Sequence, residues 1–226
     1  MENLNLIKLF LNRIYYYFFV ERFNKKLNID FPENIKRWDL IQNIIDKKRY
    51  DNYLEIGCDK DQSFSKIKVK NKIGVDPVSG GNIRSTSDQF FSTNTSKFDI
   101  IFIDGLHHYE QVIKDVNNSL QILNDNGFIL LHDCLPRSIA HQAIPRYRGS
   151  WNGDVWKALV ELRTRSDLDT YTCQIDFGVG IVQKKKNTEI LSIEKKNFKL
   201  LKFSDYYHNF DSFMRVIDFK KALELI

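Results

Sequence analysis

Four short apolar runs constrain this chain more than any other feature: "NYLEIGC" (52–58), "KIGVDP" (72–77), "FDIIFIDG" (98–105) and "GFILLHDCLP" (127–136). Nearly every position in them is apolar, the pattern of strands covered by helices on both faces. Between the third and fourth, "HYEQVIKDVNNSLQILNDNG" repeats Val112, Ile113, Val116, Leu120 and Leu123 at three- and four-residue steps. That spacing predicts a helix with one buried face, with Gly127 where helix turns into strand. A strand–helix–strand unit of this length implies a parallel, right-handed crossover. A second helix is expected over "GDVWKALVELRTR" (153–165), with Val155, Leu159 and Leu162 on one face and Trp156 in the core. After it, "TYTCQI" (170–175) and "GVGIVQKK" (178–185) flank Asp176-Phe177 as a hairpin.

The expected fold class is therefore α/β: a Rossmann-like, doubly wound, mostly parallel sheet with a C-terminal antiparallel hairpin and helical N- and C-terminal extensions. Its 226 residues, 42% of them hydrophobic, suffice for one well-buried domain, assigned to residues 51–185. Residues 1–50 read as a helical N-terminal extension and residues 186–226 as a C-terminal helical tail. Within the first, "LIKLFLNRIYYYFFVERF" is apolar and aromatic, but Lys8, Arg13 and Glu21 interrupt it. The longest uncharged stretch, Ile14 to Val20, is far short of the roughly 20 residues that span a bilayer. No small-residue cleavage site follows it. The segment is expected to pack on the domain or on a second subunit, a membrane-surface helix being the alternative. The expectation is a cytoplasmic protein without stable membrane insertion, whose aromatic extensions either form a homodimer or fold back over their own subunit.

Charge and cysteines exclude little but point the same way. The net charge is +5, and the short runs Lys184-Lys185-Lys186 and Lys195-Lys196 carry no interleaved aromatics, so no nucleic-acid partner is expected. Cys58, Cys134 and Cys173 are odd in number and widely spaced, which suits buried free thiols in a reducing compartment rather than a disulfide framework or a zinc knuckle.

The chemistry gathers where the strands end. In open parallel sheets, ligands bind at the carboxyl edge near the point where strand order reverses. Here that edge would carry Glu55-Ile56-Gly57, Asp76-Pro77, Asp104-Gly105 and His132-Asp133. Single acids at such positions often cap the next helix, but four on one edge ask for more. A dinucleotide fold wants G-x-G-x-x-G after its first strand. This chain has "EIGCDKDQSF" instead, with one glycine and the acids Asp59 and Asp61, a poor cradle for phosphate. Asp76 lies 19 residues past Gly57, where it can accept hydrogen bonds from both hydroxyls of a ribose. A nucleoside with a positive centre and no phosphate describes S-adenosylmethionine. A nicotinamide-dependent oxidoreductase is disfavoured by the missing glycines.

"YLEIGC" followed by "IGVDP" resembles the first two motifs of class I S-adenosylmethionine-dependent methyltransferases. "TSDQFF", the long run from Phe98 to Pro136 and "GDVWKALVELR" resemble a bacterial small-molecule branch of that superfamily, associated with sugars and glycans and related to macrolide-sugar O-methyltransferases. The similarity covers about residues 50 to 185. It implies that Glu55 and Gly57 line the methionine end of the cofactor, with Asp104 beside them. Asp76 would bind the ribose, and Asp88 would lie near the adenine. Asp61 stands where the family's first motif usually has another glycine. That departure motivates the alternative of a catalytically inactive, cofactor-binding scaffold.

Asp104 would face the methyl acceptor, and Asp133 would end the neighbouring strand beside it. Two such carboxylates can hold one hard divalent cation, magnesium above all. The resemblance implies the same metal role at these two strand ends. The position after Asp133, where such enzymes often add a third ligand, holds Cys134, a poor magnesium ligand. His107, His108 and His132 are candidate general bases, since imidazole titrates near neutrality. His107 is favoured for catalysis, His108 also suits a helix cap, and His132 is expected to point opposite to Asp133. Arg137, His141, Arg146, Arg148, Trp151 and Asp154 follow as a long loop suited to a lid, its arginines fitting an acidic acceptor and Trp151 a sugar ring. The function expected is methyl transfer, with Asp104 and His107 catalytic, to a small acceptor, a sugar or glycan precursor, most simply at oxygen.

Overall fold

The computed structural model describes residues 6–226. In chain order its first half comprises α1 (Leu6–Tyr15), α2 (Arg37–Lys48), β1 (Asn52–Ile56), β2 (Asn71–Asp76), β3 (Ile83–Arg84), α3 (Ser87–Thr93), β4 (Phe98–Ile103), α4 (Tyr109–Ile122) and β5 (Leu123–Leu131). There follow α5 (Ile139–Gln142), α6 (Val155–Arg163), β6 (Leu168–Cys173), β7 (Val179–Lys184), α7 (Phe203–His208), α8 (Phe210–Met214), β8 (Val216–Ile217) and α9 (Phe219–Leu225).

One sheet orders its strands β3-β2-β1-β4-β5-β7-β6-β8. Strands β1 to β5 are parallel, and β7 runs antiparallel between β5 and β6. The expected fold class and terminal hairpin are both present. Successive side chains alternate between two buried layers, as a sheet covered on both faces requires. Leu54, Ile101, Ile103, Ile129 and Leu131 face one core with Val112, Val116 and Leu159 of the crossover helices. Tyr53, Ile100, Phe102, Phe128 and Leu130 face the other, against Leu40, Ile41 and Ile44 of α2. Trp156 is fully buried, and all three cysteines are free and buried.

Local boundaries differ in detail from the expected elements. Helix α4 stops at Ile122 rather than reaching Gly127. The polar run 124–126 competes with helix instead: the Asn124 amide donates to Asp99 Oδ1 at 2.6 Å, Tyr50 donates to the Asn126 carbonyl, and Asn126 turns left-handed at φ 61°. The N-terminal extension is helical only in α1, a π-helical turn over Tyr16–Val20 and α2. Residues 21–36 form neither α-helix nor long strand and touch the body through a Lys26–Ser138 bridge. Residues 1–5 of the expected extension lie outside the described residues. The C-terminal tail breaks into short helices and adds β8 to the sheet edge beside β6, through Thr172↔Val216 and Cys173↔Ile217.

Candidate active site

Strand order reverses between β1 and β4, which places a crevice at their carboxyl ends. Register then fixes the neighbours. Ile56 pairs with Ile103, and the chain continues with Asp104 N donating to Ile56 O at 2.8 Å. Ile103 pairs with Leu131, and His132 N donates to Ile103 O at 3.1 Å. Asp104, His132 and Asp133 therefore emerge side by side. Gly57 takes φ 89°, and a Cβ there would strike the Asp104 carbonyl, so only glycine lets the first loop cross this close. The crevice is a cavity of about 220 Å³ whose lining includes Arg37, Glu55, Gly57, Asp104, His107 and Asp133.

His132 corrects the expected alternation. Strand β5 ends at Leu131 and Asp133 takes φ 61°, so the reversal of backbone brings both side chains to one place. His132 Nδ1 lies 3.0 Å from Asp104 Oδ1, and its Nε2 lies 2.8 Å from the Asp176 carbonyl. His107 bridges the two acids, with Nε2 3.3 Å from Asp104 Oδ1 and Nδ1 3.1 Å from Asp133 Oδ2. Nδ1 is buried and has no hydrogen-bond partner, because the Asp133 oxygen is out of line. The imidazole stacks on Trp151, ring centroids 5.4 Å apart and planes 14° from parallel. Asn152 donates to Asp133 Oδ1 at 2.8 Å, which fixes that carboxylate from the far side.

Two members of the cluster are not among the sequence-derived site residues. Arg37, in the first turn of α2, donates to Asp176 Oδ2 at 2.7 Å and to Ser63 Oγ at 2.8 Å, and its Nε lies 3.5 Å from Asp104 Oδ2. Asp176 sits in the hairpin turn between β6 and β7, with left-handed φ at 44°. Because β6 runs parallel to β5, that turn falls on the same sheet edge as Asp104. The topology could have flagged Asp176; nothing local distinguishes Arg37 from other helix-start arginines.

The charges shape one another. Burial pushes the two carboxylates upward, but His132 and His107 overcome it at Asp104, which is held far below the usual carboxylate range. Asp133 goes the other way: burial raises it more than the histidines lower it. Burial would lower both histidines, yet the surrounding acids raise His107 and raise His132 well above an ordinary imidazole. Paired acids whose environments drive them apart are the usual mark of divided chemical roles. Beneath them Glu55 is pushed up to about 8 by burial, although Tyr53 donates to its carboxylate at 2.5 Å.

The other sequence-derived residues are spread more widely. Asp76 ends β2 on the same edge but is tied into its own loop, accepting from Val78 N (2.8 Å), Ser79 N (2.9 Å) and Asp59 N (3.0 Å). Those amides outweigh burial and hold it below the usual range. Asp88, in the first turn of α3, pairs with Lys114 at 2.6 Å and lies outside the cavity lining. His108 is the N-cap residue of α4 and makes no side-chain cap bond. Asp154 serves α4 instead, accepting from Tyr109 N at 2.7 Å. In the loop, Trp151 and Asn152 bring side chains to the cluster, and Asp154 N donates to the His107 carbonyl at 3.1 Å. Arg146 lies over the outer Trp151 ring, Arg137 lies over Phe31, and Arg148 is exposed, so no loop arginine lines the cavity. Asp61 fills its family's glycine position without strain relief by glycine: it adopts φ 59° and its carboxylate accepts from Gly81 N at 2.7 Å.

A metal fits the donor set. One ligand atom each from Asp104, His107 and Asp133 fall within 4.8 Å of one another, and the orphaned Nδ1 supplies a nitrogen. Two carboxylates and an imidazole suit a divalent ion that accepts mixed ligands. Cys134 is excluded from it, since its thiol is buried and points back to the Leu131 carbonyl at 3.4 Å.

Comparison with known proteins agrees with this topology. Residues 40–134 match a family model described as a methyltransferase domain. An uncharacterized protein of Acanthamoeba polyphaga mimivirus is 29% identical over a match covering 41% of this chain and 56% of the viral one. The chain thus spans little more than half the length of that curated relative. An O-methyltransferase from Bacillus cereus, solved in complex with SAH, superposes with TM-score 0.51 at 11% identity, over 80% of this chain and 90% of that one. The O-methyltransferase TomG from Streptomyces achromogenes, solved with SAM, gives 0.50 at 11% identity, over 82% and 91%. At such identities the likeness is one of fold. Residues 40–134 thus match a methyltransferase domain, and they lie within a sheet whose fold is shared with these O-methyltransferase structures.

Proposed function

We propose that the protein is an S-adenosylmethionine-dependent O-methyltransferase acting on a small hydroxyl acceptor, a sugar or glycan precursor. The observation that carries this reading is the Asp104–His107 pair beside Gly57, at the switch point of a methyltransferase domain. Bound S-adenosylmethionine supplies an electrophilic methyl group. Glu55, Gly57 and Asp104 would hold its methionine end, whose ammonium suits the acidic lining; Lys60 at the same cavity suits the carboxylate. Asp76 would take the ribose, and Asp88 would flank the adenine.

His107 is the base in this scheme. Asp104 accepts from Nε2–H, which leaves Nδ1 as the free lone pair to receive the acceptor's proton. His132 and Arg37 keep Asp104 ionised, so it can stabilise the imidazolium that forms. Trp151 stacks on His107 and braces the imidazole in the site. Orientation of acceptor oxygen and methyl carbon in line supplies most of the rate. A divalent ion held by Asp104, His107 and Asp133 would lower the acceptor hydroxyl's pKa; it would also occupy Nδ1, so base and metal are alternative routes to one alkoxide. Asp61 takes the left-handed conformation a glycine would take there and is bonded to the opposite loop, which supports an active site over an inactive scaffold.

The test is calorimetric titration with S-adenosylmethionine and S-adenosylhomocysteine, with NAD as control, followed by an acceptor screen that counts S-adenosylhomocysteine released. Micromolar adenosyl binding and turnover lost in His107→Gln support the proposal. Absence of adenosyl binding, or full turnover in Asp104→Asn, sinks it.

A further inference from the structure

We propose that α1 and the aromatic turn after it dock on an anionic lipid surface. At 100° per residue, Leu6, Ile7, Phe10, Leu11 and Ile14 share one face of α1. That face points away from the body: no residue of α1 is buried, and Leu6 and Phe10 are 79% and 62% exposed. The π-helical turn extends the patch with Tyr17, Phe18 and Phe19, the last 77% exposed. Contiguous apolar surface of this kind is rare on a protein that works alone in water.

The segment is held in this pose. Asn12 donates to the Arg146 carbonyl at 2.8 Å, on the opposite side of α1 from the apolar face. Tyr16 is buried and accepts from Gln142 at 3.0 Å. Glu21 accepts from Phe203 N (2.9 Å) and Ser204 N (2.8 Å) at the start of α7. The exposed face is therefore presented by a fixed element.

Charge selects the occupant. From Leu6 to Asn28 the basic residues are Lys8, Arg13, Arg22, Lys25 and Lys26, all exposed, and Glu21 is the sole acid. Glu21 spends its oxygens on α7, so among the described residues 6–28 the net charge is positive, and exposed Arg148 adds to it. A second copy docked face to face would set these cations against each other, whereas anionic headgroups complement them. An apolar stripe rimmed by Lys and Arg, with tyrosines and phenylalanines beside it, is the composition of a helix lying in the interfacial plane. Among the described residues no helix is long and apolar enough to cross a membrane, so the contact is with the surface.

Cosedimentation of the full chain with vesicles tests this, comparing phosphatidylcholine alone with phosphatidylcholine containing phosphatidylserine. The expected result is binding to the anionic vesicles only, weakened by salt. The triple variant Phe10→Ser, Phe18→Ser, Phe19→Ser should bind on the order of tenfold more weakly, and Lys25→Glu with Lys26→Glu should also reduce binding. Unchanged circular dichroism and urea midpoint of the variants exclude misfolding. No pelleting with anionic vesicles at low salt overturns the proposal, as does equal binding to neutral ones. A lipid-free dimer in analytical ultracentrifugation that the triple variant dissociates would assign the patch to a second copy instead.

Discussion

Replacing Arg37 with Gln should cost the protein several kcal/mol, although the residue lies outside the matched domain. The guanidinium lies 2.7 Å from Asp176 and 3.5 Å from Asp104, with side-chain exposures of 12% for Arg37, 7% for Asp176 and 15% for Asp104. Removing one partner of a buried pair leaves the other charge uncompensated, at about 3–5 kcal/mol. His132 still faces both acids, so the low end, about 3 kcal/mol, is expected. For a chain of this length that corresponds to a fall in Tm of roughly 6–12 °C. The sign with pH follows from Asp176: burial alone would raise its pKa, but His132 and Arg37 hold it low. A depressed carboxylate contributes stability above its unfolded pKa of about 3.9 and loses it as pH falls through the folded value. The penalty should be full at neutral pH and should shrink in acid, where the mutant protonates Asp176 first. Urea unfolding at both pH values, in a double-mutant cycle with Asp176→Asn, measures it. A coupling below about 0.5 kcal/mol at neutral pH would refute the claim that the pair compensates a buried charge.

Three further outcomes follow from the same geometry. The acidic limb of the pH–rate profile should lie above about 6.5, the ordinary imidazole value, because the acids around His107 raise it and only its neutral form accepts a proton; a limb at or below that value would remove His107 as base. Calorimetric titration with manganese should show a site weakened at least tenfold by Asp133→Asn, and chelation that leaves turnover intact would favour the base route over the metal. Gly153→Ala should destabilise by about 1–3 kcal/mol in thermal unfolding, since Gly153 takes φ 65° and a Cβ there would collide with the His107 carbonyl; a neutral substitution would show that the loop shifts freely.

Much of the site is legible in the chain because strand ends are legible. Runs such as "FDIIFIDG" announce both the buried strand and the place where polar chemistry resumes, and parallel topology brings those places to one edge. That logic finds Asp104 and Asp133 and the neighbouring His107. It misplaces His132, because strict alternation assumes an extended backbone and Asp133 is left-handed. It leaves out Arg37 and Asp176, which reach the cluster across 139 residues of sequence through packing of α2 and a hairpin turn. Asp88 sits in a surface pair with Lys114, a contact between two helices that no local pattern encodes. The broken helices of the tail escape the reading for a related reason: β8 forms only because β6 leaves a sheet edge to be covered.

The Arg37–Asp104–Asp176 contacts also say where this protein can be cut. The family match begins at residue 40 and ends at 134, so Arg37 lies just ahead of it and Asp176 well beyond it. A fragment trimmed to the match would keep Asp104 and Asp133 while losing the guanidinium, β6 and β7 that neutralise and cover them. The unit recognisable by descent is thus smaller than the unit that can fold around its own charges, and the two should not be exchanged when fragments are prepared.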